Sequence, residues 1–234
     1  MAPDPDPPLP RPPARRPAPA VLAIMALCCL IEALLQAADH GLIGSAHWRP
    51  WAYQNAAFWA GLLRDWRPNY TAQPYTMFLS YSVLHGGIWH LLGNMIALLG
   101  LGAIVTDRAG QRGFLILWLI SVVGGGLAFG LLSASPHPMV GASGALFGLV
   151  GAWKAWDWQA ARRTGRSRRP IILWLGMLAA LNLALWVIVA GLLAWETHLG
   201  GFIAGWVWAM GRDRFSARPE DQSENQSGGP GAPS

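Results

Sequence analysis

Long apolar stretches recur along the chain and constrain its fold more than any other feature of the sequence. A helix needs about 20 predominantly apolar residues to cross the ~30 Å hydrocarbon core of a bilayer. Six stretches approach or reach that length, at about 19–38, 88–106, 114–133, 140–156, 170–190 and 194–211. Charged residues make up only 12% of the chain, against about 25% in an ordinary soluble domain. The sequence therefore predicts an all-α membrane protein with six transmembrane helices.

The fourth stretch is the weakest of the six, because it is short and rich in glycine. Short or interrupted helices in membrane proteins border protein or a water-filled cavity, since irregular backbone needs hydrogen-bond partners that lipid does not offer. The sequence therefore predicts a short fourth helix beside such a cavity.

Basic residues are distributed unevenly between the two sides predicted for these spans. With a cytoplasmic N-terminus, only Arg49, Arg64 and Arg67 of the 17 lysines and arginines lie outside, and the other 14 lie inside. This bias follows the positive-inside rule and predicts that both termini are cytoplasmic. The basic run at 162–169 then anchors the topology at the anionic cytoplasmic leaflet. The run is short and lacks interleaved aromatic residues, so we expect no nucleic-acid partner; nothing in the sequence indicates an oligomeric state.

Two polar tails flank one predicted membrane domain. Residues 1–18 are Pro-rich and residues 212–234 are polar with many Gly, Ser and Pro residues, so both are predicted to be disordered cytoplasmic tails. The transmembrane domain between them, 19–211, contains a polar segment at about 39–75 that is rich in aromatic residues. Such rings favour the membrane–water boundary, so we expect a structured, membrane-associated outer loop. An interfacial anchor without a further role is the alternative.

Polar residues inside apolar spans are costly and are therefore candidates for function. The first group lies in HGGIWHLLGN, which contains His85, His90 and Asn94. His90 and Asn94 are four residues apart, so they share one helix face and can donate hydrogen bonds into a common space. The alternative is that neighbouring helices satisfy both side chains. Glu32 is the only acidic residue deep in a span, and the sequence indicates no role for it.

Ser143 is the second candidate, in the apolar stretch VGASGALFG at 140–148. A serine hydroxyl is a poor nucleophile unless a base takes its proton, and a lone serine in a membrane helix is usually a packing contact. Gly141 and Gly144 flank this serine, however. Flanking glycines permit a tight turn and a close approach by another backbone or a substrate.

The third candidate is His198, which shares one helix face with Gly201 and Gly205. Small residues let two membrane helices approach closely. The glycines on the two segments can therefore bring His198 to Ser143.

Together these residues form a candidate hydrolytic site. We predict Ser143 as the nucleophile and His198 as the general base, which later acts as general acid. His90 and Asn94, with the backbone N–H of Ser143, would donate hydrogen bonds to the developing oxyanion. No acidic residue is positioned to orient His198, so the sequence predicts a dyad rather than a triad.

The three motifs, in this order, resemble the rhomboid family of intramembrane serine proteases. The matching patterns are H-x4-H-x3-N from His85, G-x-S-G from Gly141 and H-x2-G-x3-G from His198. The resemblance extends from about Tyr75 to Gly211 and so covers all but the first span, the outer loop and the tails.

The resemblance implies a six-helix rhomboid-like bundle, with the serine at the top of a short central fourth helix and a water-filled cavity open to the outside. It implies cleavage of other membrane proteins within or near a transmembrane segment, in the lipid bilayer and without metal or cofactor. It also implies that His85 supports the outer loop and that Phe147 packs on the catalytic histidine. Rhomboids often carry Trp-Arg before the second helix, where this chain has Tyr75 and Thr76.

Three alternatives compete with this interpretation. A catalytically inactive rhomboid-like scaffold would bind membrane-protein clients, but such proteins typically lose the serine or the histidine. A transporter would need ionisable residues along a pathway. A metal site would lack carboxylate or thiolate ligands to complement its histidines, which would be His85, His90, His137 and His198. Arginine greatly exceeds lysine, and this bias predicts a bacterial protein in the cytoplasmic (inner) membrane.

Overall fold

Residues 17–216, which the computed structural model describes, form a bundle of α-helices. The helical elements are α1 (Pro19–Asp39), α2 (Trp48–Ala56), a 3₁₀ turn (Ala60–Leu63), α3 (Gln73–Ser80), a second 3₁₀ turn (Tyr81–Val83), α4 (Ile88–Leu132), α5 (Ser143–Arg163), α6 (Arg169–Ile188) and α7 (Trp195–Ser216). Within these residues the β pairing is limited to an isolated bridge between Phe58 and Met139. The prediction of an all-α protein is confirmed. The tails predicted at the two ends fall, before residue 17 and after residue 216, outside the described residues.

Helix α4 is long enough to cross a bilayer twice, and it reverses direction at Gly110. An unbroken helix of its 45 residues would measure about 68 Å, but Gly110 has φ 70° and ψ 173°, which breaks the helix. The hydroxyl of Tyr81, just before α4, donates to the carbonyl of Val122 at 2.8 Å. The second half of α4 therefore returns beside the start of the first half. The spans predicted at about 88–106 and 114–133 correspond to these two halves.

Helix α5 lies at the centre of the bundle, packed against α4 and α7. Thirteen of its 21 residues are buried, whereas no residue of α6 is. The expectation that this helix is short is wrong, because α5 continues past its apolar part to Arg163. Alanine, glutamine and arginine dominate its last turns, and all three favour helix whatever their hydropathy.

Three helices in the described residues are long and apolar enough to cross a membrane, namely α1, α4 and α6. Helices α5 and α7 have 21 and 22 residues, which is sufficient length, but they are less apolar. Helix α7 also continues beyond residue 211, the predicted end of the sixth span, to Ser216. The count of six transmembrane helices stays a prediction.

The segment predicted as an outer loop, at about 39–75, contains α2, the first 3₁₀ turn and the start of α3. Arg49 joins this segment to α1. Its guanidinium donates to both carboxylate oxygens of Glu32, at 2.9 and 3.1 Å, and to Asp39 at 2.6 Å. Glu32 is completely buried. Glu32, for which the sequence indicates no role, is therefore one half of a buried ion pair.

Candidate active site

Ser143 and His198 meet at the first turns of α5 and α7. Ser143 is the first residue of α5, and His198 follows three residues after the start of α7. The Oγ atom of Ser143 lies 2.9 Å from Nε2 of His198, within hydrogen-bond distance. His198 is buried, with 6% of its surface exposed. At this distance the imidazole can take the proton of the serine hydroxyl.

Glycines let α5 and α7 approach closely enough for that contact. A Cβ atom on Gly201 would collide with the carbonyl oxygen of Gly144, and one on Gly205 would collide with that of Gly148. A Cβ on Gly144 would lie only 2.6 Å from Cγ2 of Thr197. Backbone cannot yield as a flexible side chain does, so larger residues on this interface would separate the two helices.

Phe147 lies one helical turn after Ser143 and packs on the imidazole of His198. The two ring centroids are 4.1 Å apart and the ring planes differ by 4°. The stacked ring covers one face of the imidazole and restricts its rotation.

His90 lies beside the turn that leads into Ser143. Its Nδ1 atom accepts the N–H of Gly86 at 3.2 Å, so the neutral ring carries its proton on Nε2. A Cβ atom on Gly141 would lie 3.0 Å from that Nε2, and Gly141 has φ 124°, a conformation that other residues rarely adopt. Both space and backbone therefore require glycine at 141, with an N–H donor of His90 next to it.

Asn94 lies one turn after His90 on α4 and is buried. Its Nδ2 atom donates to the carbonyl of His90 at 2.7 Å, which leaves a second N–H of the amide available. Its Oδ1 atom is buried and has no partner among the described residues. Asn94 therefore shares a helix face with His90, but its hydrogen bond goes to the backbone of α4 and not to Ser143.

His85 packs behind His90, with 5.4 Å between the ring centroids. Its carbonyl oxygen accepts hydrogen bonds from the hydroxyl of Tyr53 at 2.7 Å and from Nη1 of Arg49 at 3.2 Å. Burial, followed by the neighbouring His90, lowers the pKa of His85 to about 4, so its ring is neutral at pH 7. The outer segment thus holds the backbone that leads into α4.

Asn182 is a site residue that sequence reasoning missed. Its Oδ1 atom lies 2.6 Å from Nδ1 of His198, on the side of the imidazole opposite Ser143. Asn182 is half-buried and belongs to α6, inside the fifth apolar stretch. The rule that polar residues within a span are candidates for function applies to this asparagine as it does to Ser143.

An apolar cavity of about 540 Å³ adjoins this group of side chains, between α6 and α7. Aliphatic and aromatic side chains dominate its lining, with Asn182 and His198 at one wall. A site of this volume and composition suits an apolar ligand or peptide segment.

The metal site considered for four histidines is not formed. His137 is exposed in the loop before α5. Across residues 17–216, no group of three or more His, Cys, Asp or Glu side chains is arranged to hold a metal ion.

The Rhomboid domain family matches residues 72–214, which is more than half of the chain and includes the candidate nucleophile, base and oxyanion donors. The chain belongs to the rhomboid family. Since it combines a rhomboid domain with long apolar helices, it is an integral membrane protein.

The rhomboid is similar to plant and bacterial proteins. It is 36% identical to RHOMBOID-like protein 4 of Arabidopsis thaliana over 158 residues, which cover 66% of this chain and 37% of that protein. It is 33% identical to RHOMBOID-like protein 1 of the same plant over 155 residues, covering 63% and 36%. Over 70 residues it is 43% identical to Rhomboid protease GluP of Bacillus subtilis, covering 30% and 13%. The chain thus spans little more than a third of the length of the two plant relatives.

Proposed function

We propose that this rhomboid is an intramembrane serine endopeptidase that cleaves transmembrane segments of other membrane proteins. The observation that carries the proposal is the 2.9 Å contact between Oγ of Ser143 and Nε2 of His198. A serine within reach of a base is an activated nucleophile. The printed name of the similar Bacillus subtilis protein, a rhomboid protease, points to the same reaction.

In the proposed reaction, Oγ of Ser143 bonds to the carbonyl carbon of the scissile peptide while Nε2 of His198 takes the hydroxyl proton. The carbonyl π electrons move to the oxygen. When the tetrahedral intermediate collapses, the C–N bond breaks and His198 passes its proton to the leaving amine. A water molecule then gives His198 a proton, attacks the acyl ester and releases the carboxyl product, and Ser143 regains its hydrogen.

The oxyanion has three proposed donors. The backbone N–H of Ser143 is at the N-terminus of α5, where the first N–H groups have no partner within the helix and the helix dipole favours negative charge. The Nε2–H of His90 lies next to Gly141, and the second amide N–H of Asn94 is on the same helix face. Donors fixed before the reaction need no reorganisation as charge develops.

The cavity between α6 and α7 supports an apolar peptide as substrate, since its lining offers few groups for a charged one. The proposal includes six membrane-spanning helices, from the six apolar stretches, and both termini in the cytoplasm, from the unequal distribution of basic residues. It also places the protein in a bacterial cytoplasmic membrane, from the excess of arginine over lysine.

The test is covalent labelling of the detergent-solubilised protein with a fluorophosphonate, followed by mass spectrometry of the modified peptide. The variants are Ser143→Ala, His198→Ala and, as a matched control, Ser121→Ala. Ser121 is a buried serine of α4 whose hydroxyl donates to the carbonyl of Leu117 at 2.7 Å, and no hydrogen bond between Ser121 and a histidine is formed among the described residues.

We expect labelling at Ser143 in the wild type and in Ser121→Ala, and none in the other two variants. The same variants are then compared for cleavage of transmembrane substrates in proteoliposomes. A folded wild-type protein that neither reacts with the probe nor cleaves would contradict the proposal and favour an inactive rhomboid-like scaffold.

A further inference from the structure

We propose that Asn182 is a positioning residue for His198, so that the nucleophile and base work with a third member supplied by α6. The inference rests on the proposed function, because it assigns a role within the same site. It goes beyond the dyad predicted from sequence.

The chemistry of the contact between Asn182 and His198 fixes which of the two side chains donates the hydrogen bond. The Oδ1 atom of an asparagine only accepts hydrogen bonds, so the 2.6 Å contact requires a proton on Nδ1 of His198. A neutral imidazole carries one proton, and Nε2 is then left with a lone pair. That lone pair faces Oγ of Ser143 at 2.9 Å. Asn182 therefore selects the tautomer that can accept the serine proton.

The same bond also acts after proton transfer. The imidazolium keeps its Nδ1–H, and Oδ1 of Asn182 stabilises the positive charge that develops on the ring. Among the described residues, the hydrogen-bond partners of the His198 ring are Ser143 and Asn182.

The contact depends on where α6 lies. No residue of α6 is buried. Near the start of α6, Trp174 packs edge-to-face on Trp153 of α5, with 5.8 Å between the ring centroids. Nζ of Lys154 lies 4.6 Å from the centre of the Trp174 ring. Two turns later, Asn182 reaches His198. The aromatic contact thus holds one part of α6 on α5 and lets the other part deliver the amide.

The experiment measures the fluorophosphonate reaction of Ser143 at several probe concentrations, which separates the maximal rate of modification (kinact) from the half-saturating concentration (KI). The variants of the full chain are Asn182→Leu, which removes the acceptor at similar volume, and Asn182→Asp, which restores it. The control is Leu181→Ala, an exposed neighbour on α6 that does not line the cavity. Thermal melting establishes that each variant is folded.

We expect Asn182→Leu to lower kinact roughly 10- to 100-fold, the range for losing a hydrogen bond to a charged group, with KI changed less than about threefold. Asn182→Asp should regain most of the rate, and Leu181→Ala should match the wild type. A structural role in shaping the cavity would raise KI instead.

Three results overturn the inference. The first is a wild type that reacts together with an Asn182→Leu variant that keeps its kinact, and the second is an equal loss of rate in the leucine and aspartate variants. Either result shows that Asn182 does not position the base, and both leave the protease proposal intact. If the wild type itself does not react at Ser143, the proposed function falls and this inference falls with it.

Discussion

The ring of Phe147 stacks on the imidazole of His198, 4.1 Å away and within 4° of parallel. Phe147 and Ser143 lie one turn apart on α5, so one helix supplies both the candidate nucleophile and the surface on which its base rests. Together with the hydrogen bonds at Nε2 and Nδ1, this contact leaves the imidazole one orientation. The precision of the site therefore comes from three neighbours of His198.

Replacing Phe147 should slow the reaction of Ser143 without abolishing it. Stacked aromatic pairs contribute about 0.5–1.5 kcal/mol beyond the area they bury, so we expect Phe147→Leu to lower the rate of fluorophosphonate modification roughly 2- to 10-fold. Phe147→Tyr, which keeps the ring, is the matched control and should react like the wild type. Equal rates for the leucine and tyrosine variants would show that the stacking does not orient the base.

A side chain at Gly201 should separate α5 from α7. Its Cβ would collide with the carbonyl oxygen of Gly144, and overpacking of this kind typically costs about 1–3 kcal/mol. We expect Gly201→Ala to lower the melting temperature and to lose the modification of Ser143. The control is Gly176→Ala on α6, where a Cβ meets no atom within 4 Å, and it should melt no lower than the wild type. A Gly201→Ala protein with unchanged labelling would contradict the proposed close approach.

The ion pair of Glu32 and Arg49 should stabilise the attachment of the outer segment. Arg49→Leu leaves a carboxylate with 1% side-chain exposure unpaired, and breaking such a buried pair costs about 3–5 kcal/mol. Unfolding in mixed micelles is measured for Arg49→Leu, for Glu32→Leu and for the double variant. We expect the stated loss for Arg49→Leu and a smaller loss for the double variant. If the two single losses simply add in the double variant, the residues are not coupled.

His85 should make the stability of the protein sensitive to mild acid. Its pKa is about 4 in the folded protein against an ordinary value of 6.5, so between these values the unfolded chain binds the proton and the folded chain does not. The stability that His85 contributes is present above pH 6.5 and is lost as the pH falls through 4. We expect the melting temperature of His85→Asn to fall less between pH 7 and pH 4.5 than that of the wild type. Parallel curves for the two proteins would refute this assignment.

Asn94→Ala should be impaired but not inactive, because the other two oxyanion donors remain. Removing one such donor typically lowers the rate by about 10²–10³. Substrate cleavage should therefore stay measurably above that of Ser143→Ala. Asn55→Ala is the control, since Asn55 is half-buried in the outer segment and its amide donates to the carbonyl of Trp51. Loss equal to that of Ser143→Ala would indicate a structural role for Asn94.

Much of the fold could be predicted because hydropathy and helix periodicity are local properties of the sequence. The start of α1, both halves of α4 and the range of α6 follow from runs of apolar residues that need no knowledge of their neighbours. The length of α5 did not follow, since its last turns are polar but still helical. Hydropathy indicates where lipid or protein interior surrounds a helix, and helix propensity decides how far the helix extends.

The residues of the candidate site also fall into those that the sequence indicates and those that only the tertiary structure brings together. The sequence by itself determined the candidate residues for the chemistry, because Ser143, His198, His90 and Asn94 are polar side chains in apolar spans with recognisable spacing. Only the tertiary structure decided that Arg49 pairs with Glu32 and that Asn182 meets His198. Those contacts join helices separated by a loop, and they depend on the depth and rotation at which each helix packs. Spacing along the chain fixes neither quantity.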